Sequence, residues 1–242
     1  MTVGLIGFGR LGMLLTRYFA ADFKISVFDP KAKGAQIKKL GAKPATLAAA
    51  CAQDAVLLCV PIGRFESLVR RIRGLLRKDA LVIDVCSVKE HPVRVMKRYL
   101  PRSVEILAMH PNFGPDSAAV TLKGQKLVVC KVRVKDSRYR KFLGVLKGKG
   151  LEIVEMSPAE HDKKAAASLV LTHFIGRALI AGGAKTTGID TEGYKRLLRI
   201  LETVQNDSWE LFRDMNRYNA FAAPMRRKLL GAMRATDRRV RL

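Results

Sequence analysis

"VGLIGFGRLGMLLTRYFAADFKISVFDP", residues 3 to 30, decides the fold. The run 3–6 is short and apolar, and Gly7-Phe8-Gly9-Arg10-Leu11-Gly12 follows it directly. Residues 13–19 carry apolar side chains at helical spacing, and 24–29 alternate before stopping at Pro30. The order is strand, glycine turn, helix, strand. In that setting Gly7 permits a tight turn, Gly9 lets the backbone approach a pyrophosphate, and Gly12 lets helix and strand pack closely. The helix N-terminus then offers unpaired N–H groups to phosphate. Gly7, Phe8, Gly9, Arg10, Leu11 and Gly12 are therefore candidate dinucleotide-binding residues. Asp29, 22 residues after Gly7, ends the second strand, where a carboxylate can hydrogen-bond the adenosine ribose hydroxyls. Such an acid repels a 2′-phosphate and favours NAD. Lys31 and Lys33 beside it keep NADP as the alternative.

The same alternation continues downstream. Strands are predicted at 55–60, 80–85, 104–109, 126–132 and 151–155, with helices at 65–76, 90–99 and 139–147. That order implies an α/β fold, a Rossmann-type doubly wound, mostly parallel sheet with helices on both faces. At Ser157 the pattern changes. "SPAE" offers an N-cap serine, a proline at the first helical position and Glu160 at the third. From there the sequence is helical, broken at Gly182-Gly183 and near Pro224. The expected organisation is a dinucleotide-binding domain over 1–156 and a smaller all-helical domain over 157–242.

Composition narrows the function classes. With 48% hydrophobic residues in 242, the chain can bury a core and is not a disordered polymer. Cys51, Cys59, Cys86 and Cys130 lie far apart, with no CxxC pair and no histidine at ligand spacing. Reduced thiols and no metal are expected. The chain opens directly into a strand, and no apolar run approaches the roughly 18 residues of a membrane span, so a cytoplasmic protein without a membrane partner is expected. The net charge of +24, from 45 Lys and Arg against 21 acids, is scattered along the chain. Residues 225–242 are densest, with seven basic residues and one acid. Without zinc-finger spacing or aromatic interleaving, this reads as a soluble surface that draws in small anions, not as a nucleic-acid interface.

Three further stretches fall at strand ends: "CVPIGRFES" (59–67), "DVCSVKE" (84–90) and "HPNFGPDS" (110–117). The carboxyl ends of strands in a doubly wound sheet face the ligand crevice. Cys59, Val60, Pro61 and Ser87 are thus candidate cofactor contacts, and Ser87 and His110 converge near the nicotinamide. With "MSPAEHDKKAAASLVLTHFIGRAL" (156–179) and "ELFRDMNRYN" (210–219), the chain resembles the prephenate/arogenate dehydrogenase family of tyrosine biosynthesis from residue 3 to about residue 220. The resemblance rests on D-x-x-S-x-K, H-P-x-F-G-P and E-H-D…T-H-F, in that order after the glycine fingerprint.

The resemblance implies NAD(P)-dependent oxidative decarboxylation of prephenate or arogenate. It makes His110 the catalytic histidine at the substrate 4-hydroxyl and Ser87 the serine that contacts cofactor and steadies that histidine. It makes Arg217 the grip on a substrate carboxylate, with His173 and Gly114 shaping the substrate pocket, and it implies a homodimer through the helical domain. Asn112 stands where the family usually has methionine. Another reductase of the β-hydroxyacid dehydrogenase or pyrroline-carboxylate reductase type is the alternative enzyme, and a non-catalytic NAD-sensing or nucleic-acid-binding protein is the remoter one. Among residues with structural readings, His161 and Asp162 open a helix, His91 is solvated, Trp209 belongs to a core, and Asp84 and Lys89 are turn residues that position Ser87. Arg213 and Arg217 share one helix face.

Overall fold

The computed structural model describes residues 1–241. Its chain divides into two compact units, Met1–Ala159 and a second from Glu160 onward. The first holds β1 (Thr2–Ile6), α1 (Arg10–Phe19), β2 (Lys24–Phe28), α2 (Gly34–Lys39), β3 (Lys43–Pro44), α3 (Leu47–Cys51), β4 (Ala55–Leu58) and α4 (Ile62–Ile72). It continues with β5 (Leu81–Asp84), α5 (Glu90–Tyr99), β6 (Glu105–Pro111), β7 (Lys126–Arg133), α6 (Asp136–Gly148) and β8 (Glu152–Glu155). Leu5, Val27, Val56, Val82 and Leu107 are buried along these strands, as expected for a sheet covered on both faces.

The sheet order is β3-β2-β1-β4-β5-β6-β7-β8. The first six strands are parallel, and the order reverses between β1 and β4, where a doubly wound sheet opens its crevice. β7 runs antiparallel to β6, and β8 is parallel to β7. β6 extends through Pro111, so His110 lies within the strand, opposite Val128, and not beyond its end. α4 also begins three residues earlier than the periodicity indicates, directly after Pro61.

The second unit comprises α7 (Pro158–Ala165), a π-helical turn (Ala166–Val170), α8 (Leu171–Ala181), α9 (Glu192–Gln205), α10 (Trp209–Tyr218) and α11 (Ala222–Val240). Pro158 takes the first helical position. Val170, Met215 and Ala222 form one apolar cluster in it, and Leu201 and Val204 are buried as well. At Gly176 an added Cβ would lie 2.7 Å from a Val204 methyl, so glycine is what lets α8 and α9 approach. Pro158–Ala181 forms one helical run of 24 residues, in which an 18-residue window reaches a mean hydropathy of 1.3, long and apolar enough by these measures to cross a membrane. That corrects the sequence expectation on length. His161, Asp162 and His173 are buried within the run.

Candidate active site

The glycine turn is built by close approach. Gly7 has φ +99°, and a Cβ there would lie 2.2 Å from the Cys59 carbonyl oxygen. A Cβ on Gly12 would lie 2.3 Å from the Gly7 carbonyl oxygen. Gly9, the N-cap of α1, behaves differently: a Cβ there would meet nothing within 4 Å, and no side chain caps the helix. The first turn of α1 thus presents N–H groups to an open space, a cradle suited to a pyrophosphate. The Cys59 N–H donates to the Ile6 carbonyl at 2.8 Å, which holds Cys59, Val60 and Pro61 beside this cradle at the switch point. Burial pushes the Cys59 thiol up to about 12, aided by the Asp84 carboxylate, so it is a packing thiol and not a nucleophile.

Asp29 does more than end β2. Its Oδ2 accepts from the Phe8 N–H at 2.7 Å and its Oδ1 from the Lys31 N–H at 2.8 Å. One carboxylate therefore ties the second strand to the glycine turn. Each oxygen keeps a second lone pair for a ribose hydroxyl.

His110 and Ser87 stand at neighbouring strand ends. His110 is 5% exposed, and Ser87 is half-buried in the turn after β5. Beside them lies a pair that the sequence reading gave as turn and strand-end residues positioning Ser87. Asp84 and Lys89 are both fully buried; Lys89 Nζ sits 2.5 Å from Asp84 Oδ1 and also donates to the Met109 carbonyl. Asp84 Oδ1 accepts the Cys86 N–H at 2.9 Å, while Asp84 Oδ2 is buried with no hydrogen-bond partner among the described residues. Burial pushes the Asp84 carboxyl up, and the Lys89 ammonium opposes the shift. Two opposite charges five apart inside the apolar run "LVIDVCSVK" were the signal available in the sequence.

After Pro111 the chain crosses one face of the sheet. Phe113, Ala118 and Leu122 are buried there with residues of α1 and α6. Tyr18 Oη donates to the Ala118 carbonyl at 2.8 Å, Arg17 to the Ala119 carbonyl at 2.8 Å, and Arg10 pairs with Asp116 at 2.6 Å. Within this segment the Gly114 N–H donates to Ser117 Oγ at 3.0 Å, and Asn112 is exposed. Arg10 thus belongs both to the glycine turn and to the segment that follows His110.

In the second unit, His173 is 2% exposed, with Nε2 3.5 Å from Asp207 Oδ2 and Nδ1 buried with no hydrogen-bond partner among the described residues. Burial pulls its pKa down, the Arg177 guanidinium adds to that, and Asp207 opposes it. Arg177 donates to the Asp207 carbonyl and lies 4.5 Å over the Trp209 ring. Trp209 itself is 58% exposed, which corrects its assignment to a core: it carries a stacked cation on the surface. His161 Nδ1 is 2.8 Å from Asp162 Oδ1, and Asn219 donates to the Asp162 carbonyl at 2.8 Å, so this histidine is part of a buried polar network. Arg213 and Arg217 are both exposed on α10, with Arg217 5.6 Å over the Tyr218 ring. His91 is half-buried, with Nδ1 3.4 Å from Arg94, and is not fully solvated.

Residues 18–154 match the prephenate dehydrogenase nucleotide-binding domain, and residues 179–241 match the TYRAAT1-like C-terminal domain. Arogenate dehydrogenase 2, chloroplastic, of Arabidopsis thaliana is 41% identical over 172 residues, which is 69% of this chain and 48% of that protein. Arogenate dehydrogenase 1, chloroplastic, of the same plant is 34% identical over 90% of this chain and 36% of that protein. The chain therefore spans about half or less of the length of these curated relatives. Among solved structures, prephenate dehydrogenase from A. aeolicus in complex with hydroxyphenyl propionate and NAD+ superposes with a TM-score of 0.74 at 21% identity, over 99% of this chain and 91% of that one. Synechocystis arogenate dehydrogenase gives 0.70 at 19%, over 100% and 91%. The two solved structures share the fold, while the nucleotide-binding match covers more than half of the sequence: the chain belongs to the prephenate dehydrogenase family.

Proposed function

We propose that the protein is an NAD-dependent dehydrogenase that oxidatively decarboxylates arogenate to tyrosine, or prephenate to 4-hydroxyphenylpyruvate, with NADP as the alternative cofactor. The observation that carries the reading is His110, buried at the end of β6 in a domain whose glycine turn leaves an open cradle at Gly9. The two plant relatives named arogenate dehydrogenase support arogenate as the first substrate to test. The cradle residues Gly7 to Gly12, with Asp29, Cys59, Val60, Pro61 and Ser87, hold the cofactor. A bound nicotinamide supplies the acceptor for the hydride lost from C4.

The chain's own residues do the rest. Neutral His110 accepts a hydrogen bond from the substrate 4-hydroxyl and takes its proton as the C4–O bond gains double-bond character. Loss of the ring carboxylate as CO2 leaves the electron pair that makes the ring aromatic, and the phenolate oxygen takes its proton back from His110. Ser87 contacts cofactor and holds the hydroxyl in line with His110. Arg217 supplies a planar guanidinium for a substrate carboxylate, and His173 and Gly114 shape the pocket. The positive balance of the chain draws in the anionic substrate. The reading includes a homodimer through the second unit and a cytoplasmic enzyme.

The test is reduction of NAD and of NADP with arogenate and with prephenate, four combinations followed at the nicotinamide absorbance. Turnover is expected with NAD and at least one substrate. Absence of reduction in all four arms sinks the reading, and a preference for NADP would overturn the role given to Asp29.

A further inference from the structure

We infer that Asp84 and Lys89 are a positioning pair: they end β5 and take over its hydrogen bonding to β6, which fixes the backbone that carries His110 and the turn that carries Ser87. The inference rests on the function proposed above and names residues that act through its catalytic histidine.

The ladder shows why such a pair is needed. β5 and β6 are parallel, with Asp84 opposite Ala108, and the Glu105 N–H donates to the Ala80 carbonyl. Odd-numbered residues of β6 therefore bond toward β5, and even-numbered ones toward β7, as the Asn112 N–H to the Lys126 carbonyl confirms. By that register the next rung would run from the Cys86 N–H to the Met109 carbonyl. It is not made. The Cys86 N–H turns to Asp84 Oδ1, and the Met109 carbonyl accepts from Lys89 Nζ. The two side chains that cap this broken rung then pair with each other at 2.5 Å. The chain can thus leave the sheet at Val85 to form the Ser87 turn, while β6 continues to Pro111 without its β5 neighbour.

Stability alone does not account for the choice. A fully buried ion pair loses hydration that its mutual attraction need not recover, and well-packed apolar residues often replace one without loss of stability. Here the cost is raised by Asp84 Oδ2, which is buried with no hydrogen-bond partner among the described residues. Two apolar side chains of similar size would let the Cys86 N–H reach the Met109 carbonyl directly. That would extend β5 by one rung and pull Ser87 and His110 out of register with each other.

The experiment separates the two roles. Lys89→Met strands a buried carboxyl and should lower both Tm and kcat. Adding Asp84→Leu should restore Tm toward wild type while kcat stays down by about 10²-fold, the scale of an ångström-sized misplacement of a catalytic group. A second readout needs no turnover: the chain has four histidines, so the His110 imidazole resonance can be assigned with a His110→Asn variant. That resonance should move in Lys89→Met while those of His91, His161 and His173 hold. Recovery of kcat together with Tm, or an unmoved His110 resonance, overturns the inference. If the double variant does not fold, the resonance in Lys89→Met decides. Because the resonance is read without substrate, a failure of the proposed activity shows in the four-way assay and leaves this test intact.

Discussion

At the scale of single residues, the proposed function divides groups that would perform chemistry from groups that would hold them. His110 combines burial with a place at the crevice end of β6, and a positioned general base contributes about 10²–10⁴-fold to a rate. His110→Ala is accordingly expected to lower kcat by about that factor while the dissociation constant for NADH, followed by its fluorescence, stays near wild type. A variant that keeps most of the wild-type kcat would make His110 a core histidine. Its position was legible because an imidazole next to proline at the end of an apolar run is unusual. The Asp84–Lys89 pair was not legible as a pair, since two charges near a turn normally mean a solvated turn. Only the structure shows that both are buried, 2.5 Å apart. Trp209 failed for the converse reason: a lone tryptophan suggests a core, yet the Arg177 guanidinium over its ring lets it lie at the surface.

At the scale of elements, α10 offers the sharpest comparison. Glu210, Arg213, Asp214 and Arg217 share one face, and both arginines are exposed. If Arg217 alone clamps a substrate carboxylate, losing it should cost about 2–4 kcal/mol of binding. Arg217→Ala is then expected to raise the substrate KM by about thirtyfold or more with the cofactor KM unchanged, and Arg213→Ala to do much less. Equal losses in steady-state kinetics would remove Arg217 from that role. The first 30 residues could be read as strand, turn, helix and strand because three periodicities follow one another without a gap. α2, β3 and α3 span six, two and five residues, too short for a period to establish itself. The antiparallel direction of β7 was equally hidden. Alternation reveals that a strand exists, and only pairing partners reveal which way it runs.

At the scale of the molecule, the two units differ in what holds them. The first buries apolar strands under helices, whereas the second also rests on buried polar groups such as His161, Asp162 and His173. His173 makes the second unit sensitive to acid. Its folded pKa lies below the ordinary 6.5, chiefly through burial, so the unfolded chain binds the proton more tightly. Stability from neutral His173 is therefore complete above about 6.5 and declines as pH falls from there toward the lowered folded value. Trp209, the single tryptophan, lies in this unit and reports on it by fluorescence. Its unfolding midpoint should fall between pH 7.5 and 5.5 in wild type, and His173→Gln should flatten that dependence. An equally steep fall in the variant would assign the effect to other groups.

The segment after His110 has one further consequence, for how such a protein can change over time. Loops that carry function usually tolerate insertion because they lie free on the surface. This one cannot be lengthened cheaply: Ala118 is 0% exposed, Leu122 is 2% exposed, and the Tyr18 hydroxyl and the Arg17 guanidinium hold its carbonyls. An added residue would unseat an anchor of the core. Under the proposed function, divergence in what the site accepts is thereby channelled into exchanges of one side chain for another at fixed length, with exposed Asn112 one position open to them.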